Sequence, residues 1–136
     1  MAEALEKLGT ERAMVVHGTD GIGEVSLSAP TETIEISRGV RRSGTWSPTD
    51  FGLTTASKES LTVRTPEESA DLITRVLAGE AGPPREATVL NAAAALWTAA
   101  VETSPQACAE RARLAIDSGA ARQLLEKWHQ LSHRPS

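Results

Sequence analysis

The chain has 136 residues, a formal net charge of -4 and 40% hydrophobic residues, values that suit one globular domain with its own core. With three Trp, one Phe and no Tyr, the core must be aliphatic, and the scarcity of aromatic residues argues against a surface that stacks single-stranded nucleic acid. Basic residues form no stripe for duplex DNA, and the longest weakly polar run, 87–101, is shorter than the roughly 20 residues that cross a bilayer.

Cys108 is the single cysteine of the chain, so an internal disulfide cannot form. The N-terminus is charged and lacks the apolar segment of a signal peptide. Both features predict a cytoplasmic location, in which Cys108 serves as a small buried apolar residue.

Short apolar runs in the first half of the chain predict a small sheet. Residues 2–8 are typical of the last turns of a helix without an N-cap, so we expect the chain to match the interior of a longer fold. The predicted strands have apolar runs or alternating apolar residues, and they lie at 13–16, 25–27, 34–36 and 40–46. A capped helical turn is predicted at 47–52, followed by a loop at 54–63.

Helical periodicity dominates the second half and predicts four helices, which begin near Thr65, Glu86, Ser104 and Ala121. The first has a clear start signal, because Thr65 can cap it, proline follows, and Glu68 completes a capping box. The second is apolar around most of its circumference and should lie at the centre of the fold. Asn91 within it should therefore need a buried hydrogen-bond partner.

These elements predict an α/β fold with a partial sheet of about three to five short strands followed by about four helices. We expect residues 1–136 to form one unit, strand-rich over 1–53 and helical over 65–132. Such a small sheet offers little surface to such apolar helices. The missing surface is therefore expected on another polypeptide or on another part of this protein.

The loop at 17–26 carries the most suggestive chemistry. Asp20 and Glu24 flank Gly21-Ile22-Gly23 just after the first predicted strand, where ligands collect in α/β sheets. Carboxylates at such a place suit Mg²⁺, which prefers oxygen ligands and shares its shell with water and phosphates. The alternative is structural: Asp20 forms the turn and Glu24 is a solvated residue beside a strand.

At this loop the sequence resembles the anthranilate phosphoribosyltransferase family. The similar segments occur in the family's order, and they are ERAMVVHG with DGIGEVS (11–26), SPTDFGL (47–53), VLAG with GP (76–83), VLNAAAAL (89–96) and AIDSGAA (115–121). The resemblance covers nearly the whole chain. It implies the C-terminal portion of that family's α/β domain.

The resemblance also implies a reaction, the transfer of a phosphoribosyl group from phosphoribosyl pyrophosphate (PRPP) to the amine of anthranilate during tryptophan biosynthesis. In the family an Asp-Glu pair in this loop helps to hold Mg²⁺. Glu24 matches the Glu, whereas Gly23 stands where the family has Asp, so the metal site is weakened. Asp20 would replace the missing carboxylate only if the loop rearranged.

The family's GTGGD loop and KHGN-type motif, which bind PRPP and its metal, do not occur in this sequence, and neither does the N-terminal helical domain. We therefore expect the chain to be inactive alone and to need an N-terminal half or a homodimer partner. PRPP and anthranilate would bind only to the complete enzyme. The alternatives are one half of a split enzyme and a non-catalytic interaction or structural module.

Overall fold

The computed structural model describes residues 1–133, in which a three-stranded antiparallel sheet packs against helices. The strands follow one another in space as β1-β2-β3, with bounds Arg12–Gly18, Thr31–Ser37 and Val40–Trp46. The α-helices are α1 (Ala2–Lys7), α2 (Pro66–Leu77), α3 (Pro83–Thr98), α4 (Pro105–Asp117) and α5 (Ala120–Ser132). The predicted class is confirmed: a partial sheet of three strands precedes four of these helices.

Successive side chains of β2 point to opposite faces of the sheet, and both faces are covered. In β2 the odd-numbered residues Thr31 and Thr33 are buried on the face that meets the helices, and Trp46 of β3 pairs with Thr31 on that face. Ile36 lies on the other face, where α1 contacts β2 and covers it. The hairpin between β2 and β3 turns at Arg38 and Gly39, with φ of 48° and 75°.

The core surrounds α3, as its all-round apolar composition predicts. Val89, Leu90 and Ala93 are completely inaccessible to solvent, and they pack with apolar residues of α4 and with Phe51. Phe51 lies in the predicted helical turn, which is a 3-10 turn at Pro48–Phe51, and its ring meets that of Trp46 edge to face with centroids 5.2 Å apart. Burying these side chains supplies most of the driving force for folding.

Ion pairs fix α3 beside α4 in antiparallel orientation. Arg85 at the start of α3 meets Asp117 at the end of α4 at 2.6 Å, and Glu86 meets Arg113 at 3.3 Å. The Arg85 side chain is 14% exposed, whereas the Asp117 side chain is 52% exposed, so only the Arg85 side of this pair is largely shielded from water. A cation near the C-terminus of α4 is also favourable to its dipole.

The helix starts agree with the predicted caps. Thr65 Oγ1 accepts a hydrogen bond from Glu68 N at 3.1 Å, and Ser104 Oγ accepts from Ala107 N at 3.1 Å. The Glu68 carboxylate accepts from Arg64 N at 2.8 Å, one residue before the position that a capping box requires. Helix α3 begins at Pro83 rather than Glu86, because prolines are well suited to the first helical positions.

Two predicted details were wrong. Residues 25–27 form an irregular loop and not a strand, although Val25 and Leu27 are buried as their alternation predicts. The predicted loop at 54–63 contains a 3-10 turn, Lys58–Leu61. In the last helix, α5, Leu124 is 67% and Trp128 is 69% exposed.

Candidate functional site

The loop that joins β1 to β2 contains the predicted site residues. It opens with a tight turn, in which Gly18 N donates to Ile22 O at 2.8 Å and Gly21 N donates to Gly18 O at 2.9 Å. A Cβ at position 18 would lie 2.6 Å from Asp20 Oδ1 and 3.1 Å from Ile22 O, so only glycine fits. This close approach fixes the start of the loop immediately after β1.

Asp20 organises the interior of this loop. Its Oδ2 accepts hydrogen bonds from Ser26 Oγ at 2.7 Å and from Ser28 Oγ, and its Oδ1 accepts from Ile22 N at 3.3 Å. The Ser28 and Ser26 hydroxyls, in that order, lower the pKa of Asp20 from 3.8 to about 2. The geometry therefore favours the turn-forming role of Asp20 over the metal-binding one.

Asn91 of α3 anchors the same loop from the helical side. Its Oδ1 accepts from Val25 N at 3.0 Å, and its Nδ2 donates to Val25 O at 3.0 Å and to Ala87 O at 3.1 Å. The buried partner that Asn91 was predicted to need is thus the backbone of Val25. Because these bonds satisfy both polar groups of Val25, residues 25–27 are held in place without a strand partner.

Glu24 is next to this anchored residue and is exposed. It makes none of the hydrogen bonds or ion pairs found among residues 1–133. Position 23 is open, since an added Cβ would have no atom within 4 Å and the backbone is not left-handed. The loop therefore presents one outward carboxylate, with room for a second at residue 23.

These residues do not form a complete magnesium site. Within residues 1–133, no group of three or more His, Cys, Asp or Glu side chains is close enough to hold a metal ion. Asp20 is engaged by Ser26 and Ser28, Gly23 has no side chain, and Glu24 stands alone. Mg²⁺ in proteins commonly uses one or two carboxylates together with substrate phosphates, and this loop supplies one.

The sequence reasoning missed the serines that bind Asp20. Ser26 alternates with the apolar Val25 and Leu27, a pattern that predicts a solvent-facing side chain in a strand, whereas Ser26 is 1% exposed. The available signal was the cluster SLSA six residues after an Asp, because short hydroxyl side chains and Asp commonly build local turns.

A sequence model of the glycosyl transferase family, a/b domain, matches residues 1–122, so the chain belongs to this family. The relatives that it matches include anthranilate phosphoribosyltransferases. It is 42% identical over 134 residues to the protein of Symbiobacterium thermophilum, a match that covers 98% of this chain and 39% of the relative. The chain therefore spans about two-fifths of the length of that curated relative.

Solved structures agree. The anthranilate phosphoribosyltransferase of Thermus thermophilus matches with a TM-score of 0.83 and 38% identity, over 93% of this chain and 37% of that one. The enzyme of Saccharomyces cerevisiae, solved in complex with PRPP and Mg, matches with a TM-score of 0.77 over 85% of this chain and 33% of that one. Because this yeast protein is 22% identical, its likeness shows the shared fold alone. None of the helices formed by residues 1–133 is long and apolar enough to span a membrane.

Proposed function

We propose that this chain is the C-terminal portion of an anthranilate phosphoribosyltransferase, and that it takes part in phosphoribosyl transfer from PRPP to anthranilate only together with the rest of the fold. The observation that carries the proposal is the ordered loop between β1 and β2, which presents Glu24 at the position of the family's acidic pair. The match covers only 39% of the relative, which supports the proposal that this chain needs the rest of the fold for activity.

The reaction asks little of any single residue. Displacing pyrophosphate from the ribose needs positioned reactants and stabilisation of the negative charge that grows on the leaving group. Magnesium supplies part of that stabilisation when it is bound. In this proposal Glu24 is the one carboxylate that this chain contributes, and the other metal ligands come from phosphates, water and the rest of the fold.

The sheet supports the need for a further polypeptide segment. β1 lies at one edge, and its run Ala13-Met14-Val15-Val16 is only partly buried there. β3 lies at the opposite edge, where the exposed Arg41 and Arg42 discourage pairing. An apolar edge without such charges favours pairing with another strand. We propose that the remaining portion of the fold, in this or another polypeptide, supplies it.

We also propose the cytoplasm as the compartment. Cys108 is a free thiol, and PRPP-dependent transfer by the complete enzyme would take place where such thiols remain reduced.

Reconstitution in trans tests the proposal. The purified chain would be mixed with the separately produced remaining portion of the Thermus thermophilus enzyme, PRPP and Mg²⁺, and loss of anthranilate fluorescence would be followed. We expect no turnover with the chain alone and turnover with the mixture. Glu24→Gln should slow the mixture, whereas Glu67→Gln, at an exposed position on α2, should leave its rate unchanged.

The control is the Thermus enzyme split at the same point. If its two portions recombine into an active enzyme but this chain gives no turnover with the same partner, the proposal is wrong. Turnover by the chain alone would contradict the proposed need for the remainder.

A further inference from the structure

Asn91 lies on the central helix α3 and reaches across to the loop that carries Glu24. Its neighbours on the helix, Val89, Leu90 and Ala93, are completely inaccessible to solvent, so close packing fixes this part of α3. Asn91 itself is only partly buried. A polar side chain on so firmly packed an element can hold a loop in one place.

The Asn91 amide is held in one orientation by its own helix, because Nδ2 donates to Ala87 O, one turn earlier, at 3.1 Å. In that orientation Oδ1 accepts from Val25 N and Nδ2 donates to Val25 O, each at 3.0 Å. Two bonds to a single residue fix the direction of its backbone as well as its distance from the helix.

These bonds also fix the backbone of Glu24. Val25 N belongs to the planar peptide unit that contains the Cα, C and O atoms of Glu24. Holding Val25 N against α3 therefore places the Cα from which the Glu24 side chain extends. On the other side of Glu24, Ile22 O accepts from Gly18 N at 2.8 Å, so only Gly23 separates Glu24 from a second fixed point.

Helix formation alone gives no reason for asparagine at position 91. The next four residues, 92–95, are alanines, the best helix formers, whereas asparagine is a poorer one. What asparagine adds is the pair of hydrogen bonds to the loop, which an alanine cannot make.

We propose that Asn91 is a positioning residue for Glu24, which it holds in place before PRPP and Mg²⁺ bind. This inference rests on the proposed function, in which Glu24 is the carboxylate that this chain contributes. Displacement of pyrophosphate depends on groups that are already in place when charge develops. Asn91 touches neither substrate nor metal in this proposal, and it acts only through Glu24.

A double-mutant cycle between positions 91 and 24 tests this inference in the reconstituted mixture with the remaining portion of the Thermus thermophilus enzyme. Asn91→Ala should lower kcat by roughly 10- to 100-fold, because a small misplacement of a positioned group has effects of that size. In the Glu24→Gln background the same substitution should lower kcat by less than about twofold, because the carboxylate that Asn91 positions is gone.

Asn91→Gln is the second variant, and it keeps the fold if Asn91→Ala does not. It retains both hydrogen-bonding groups of the amide but moves them by one methylene. It should therefore recover stability more fully than kcat, whereas a purely structural role for Asn91 would let both recover together.

Val76→Ala is the matched control for lost stability. Val76 is 7% exposed on α2, an element that contributes neither to the loop nor to its anchor, so truncating it destabilises the fold without releasing Glu24. It should leave kcat unchanged in both backgrounds when every variant is assayed well below its own melting transition.

Nitrogen-15 relaxation of this chain by itself gives a readout that needs no enzymatic activity. The order parameter of the Glu24 amide should be close to the value of about 0.85 for rigid backbone, and it should fall toward about 0.6 in Asn91→Ala. Val76→Ala should keep the higher value.

The outcomes separate this inference from the proposed function. If the unmodified mixture turns over but Asn91→Ala lowers kcat equally in both backgrounds, the positioning role is wrong and the proposed function stands. An order parameter at Glu24 that Asn91→Ala leaves unchanged also overturns the positioning role. A mixture without any turnover overturns both.

Discussion

Replacing Asn91 with alanine should release the β1–β2 loop from α3. The substitution removes the amide that binds Val25 N and Val25 O, both at 3.0 Å, and Ala87 O at 3.1 Å. Val25 itself is 3% exposed, so its backbone groups lose their partner in a largely buried position. Water can reach them only if the loop moves away from the helix.

The expected cost follows from these groups. Each lost hydrogen bond contributes about 1 kcal/mol net, and a buried backbone group left without a partner costs about 1–3 kcal/mol. Because the loop can move to let water reach these groups, we count only the three lost hydrogen bonds. We therefore expect the free energy of unfolding to fall by about 3 kcal/mol. For a chain of this size that corresponds to a fall in Tm of roughly 10 °C.

Thermal and urea unfolding followed by circular dichroism would measure this change, and hydrogen exchange would report on the Val25 amide directly. Thr88→Ala is the control on the same helix, because Thr88 is exposed and its hydroxyl bonds only to Pro84 O at 2.9 Å. It should change stability by less than about 0.5 kcal/mol. If Asn91→Ala is equally silent, the reasoning that Asn91 anchors the loop is wrong.

Three further predictions concern single residues. Gly23→Asp should bind Mg²⁺ more tightly than the unmodified chain in isothermal titration, because position 23 has room for the side chain and the new carboxylate lies beside Glu24. Gly23→Asn is the control of equal size, and it should bind Mg²⁺ no more tightly than the unmodified chain. Asp20 has its pKa lowered from 3.8 to about 2, so its ionised form stabilises the fold above the ordinary pKa, and this stability is lost as the pH falls through about 2. The Tm difference between the unmodified chain and Asp20→Asn should accordingly shrink from pH 7 to pH 2, and a constant difference would contradict the assigned hydrogen bonds. Cys108 is fully buried, and burial raises the pKa of its thiol, so a thiol reagent should modify it only as fast as the chain unfolds, which labelling with and without urea would show.

Local signals in the sequence were enough to predict the helices. Thr65 and Ser104 cap helices through hydroxyls that act within three residues, and the all-round apolar composition of α3 marks it as central. The requirement that a buried Asn must be satisfied was likewise predictable. Its partner was not, because Val25 lies 66 residues away and nothing local connects the two.

The loop shows why the site was only partly predictable. The alternating apolar residues at 25 and 27 would be buried in a strand, but they are equally buried in a loop whose backbone groups bond to a distant side chain. The sequence alone does not distinguish these two structures. Glu24 was a candidate site residue because it flanks the glycines of the loop and matches the Glu of the family's pair. The hydrogen bonds that Asp20 accepts were not predictable, because they depend on Ser26 and Ser28 folding back onto it. Helical periodicity predicted α5, but periodicity carries no information on what covers the apolar face of a helix.

A fusion in cis tests the central claim most directly. Residues 1–136 would replace the corresponding segment of the Thermus thermophilus enzyme, and anthranilate consumption would be measured with PRPP and Mg²⁺. The account predicts that the chimera turns over anthranilate, more slowly than the parent because the loop offers Mg²⁺ the single carboxylate of Glu24, and that the chain alone does not. A folded chimera without turnover, or turnover by the chain alone, would contradict it.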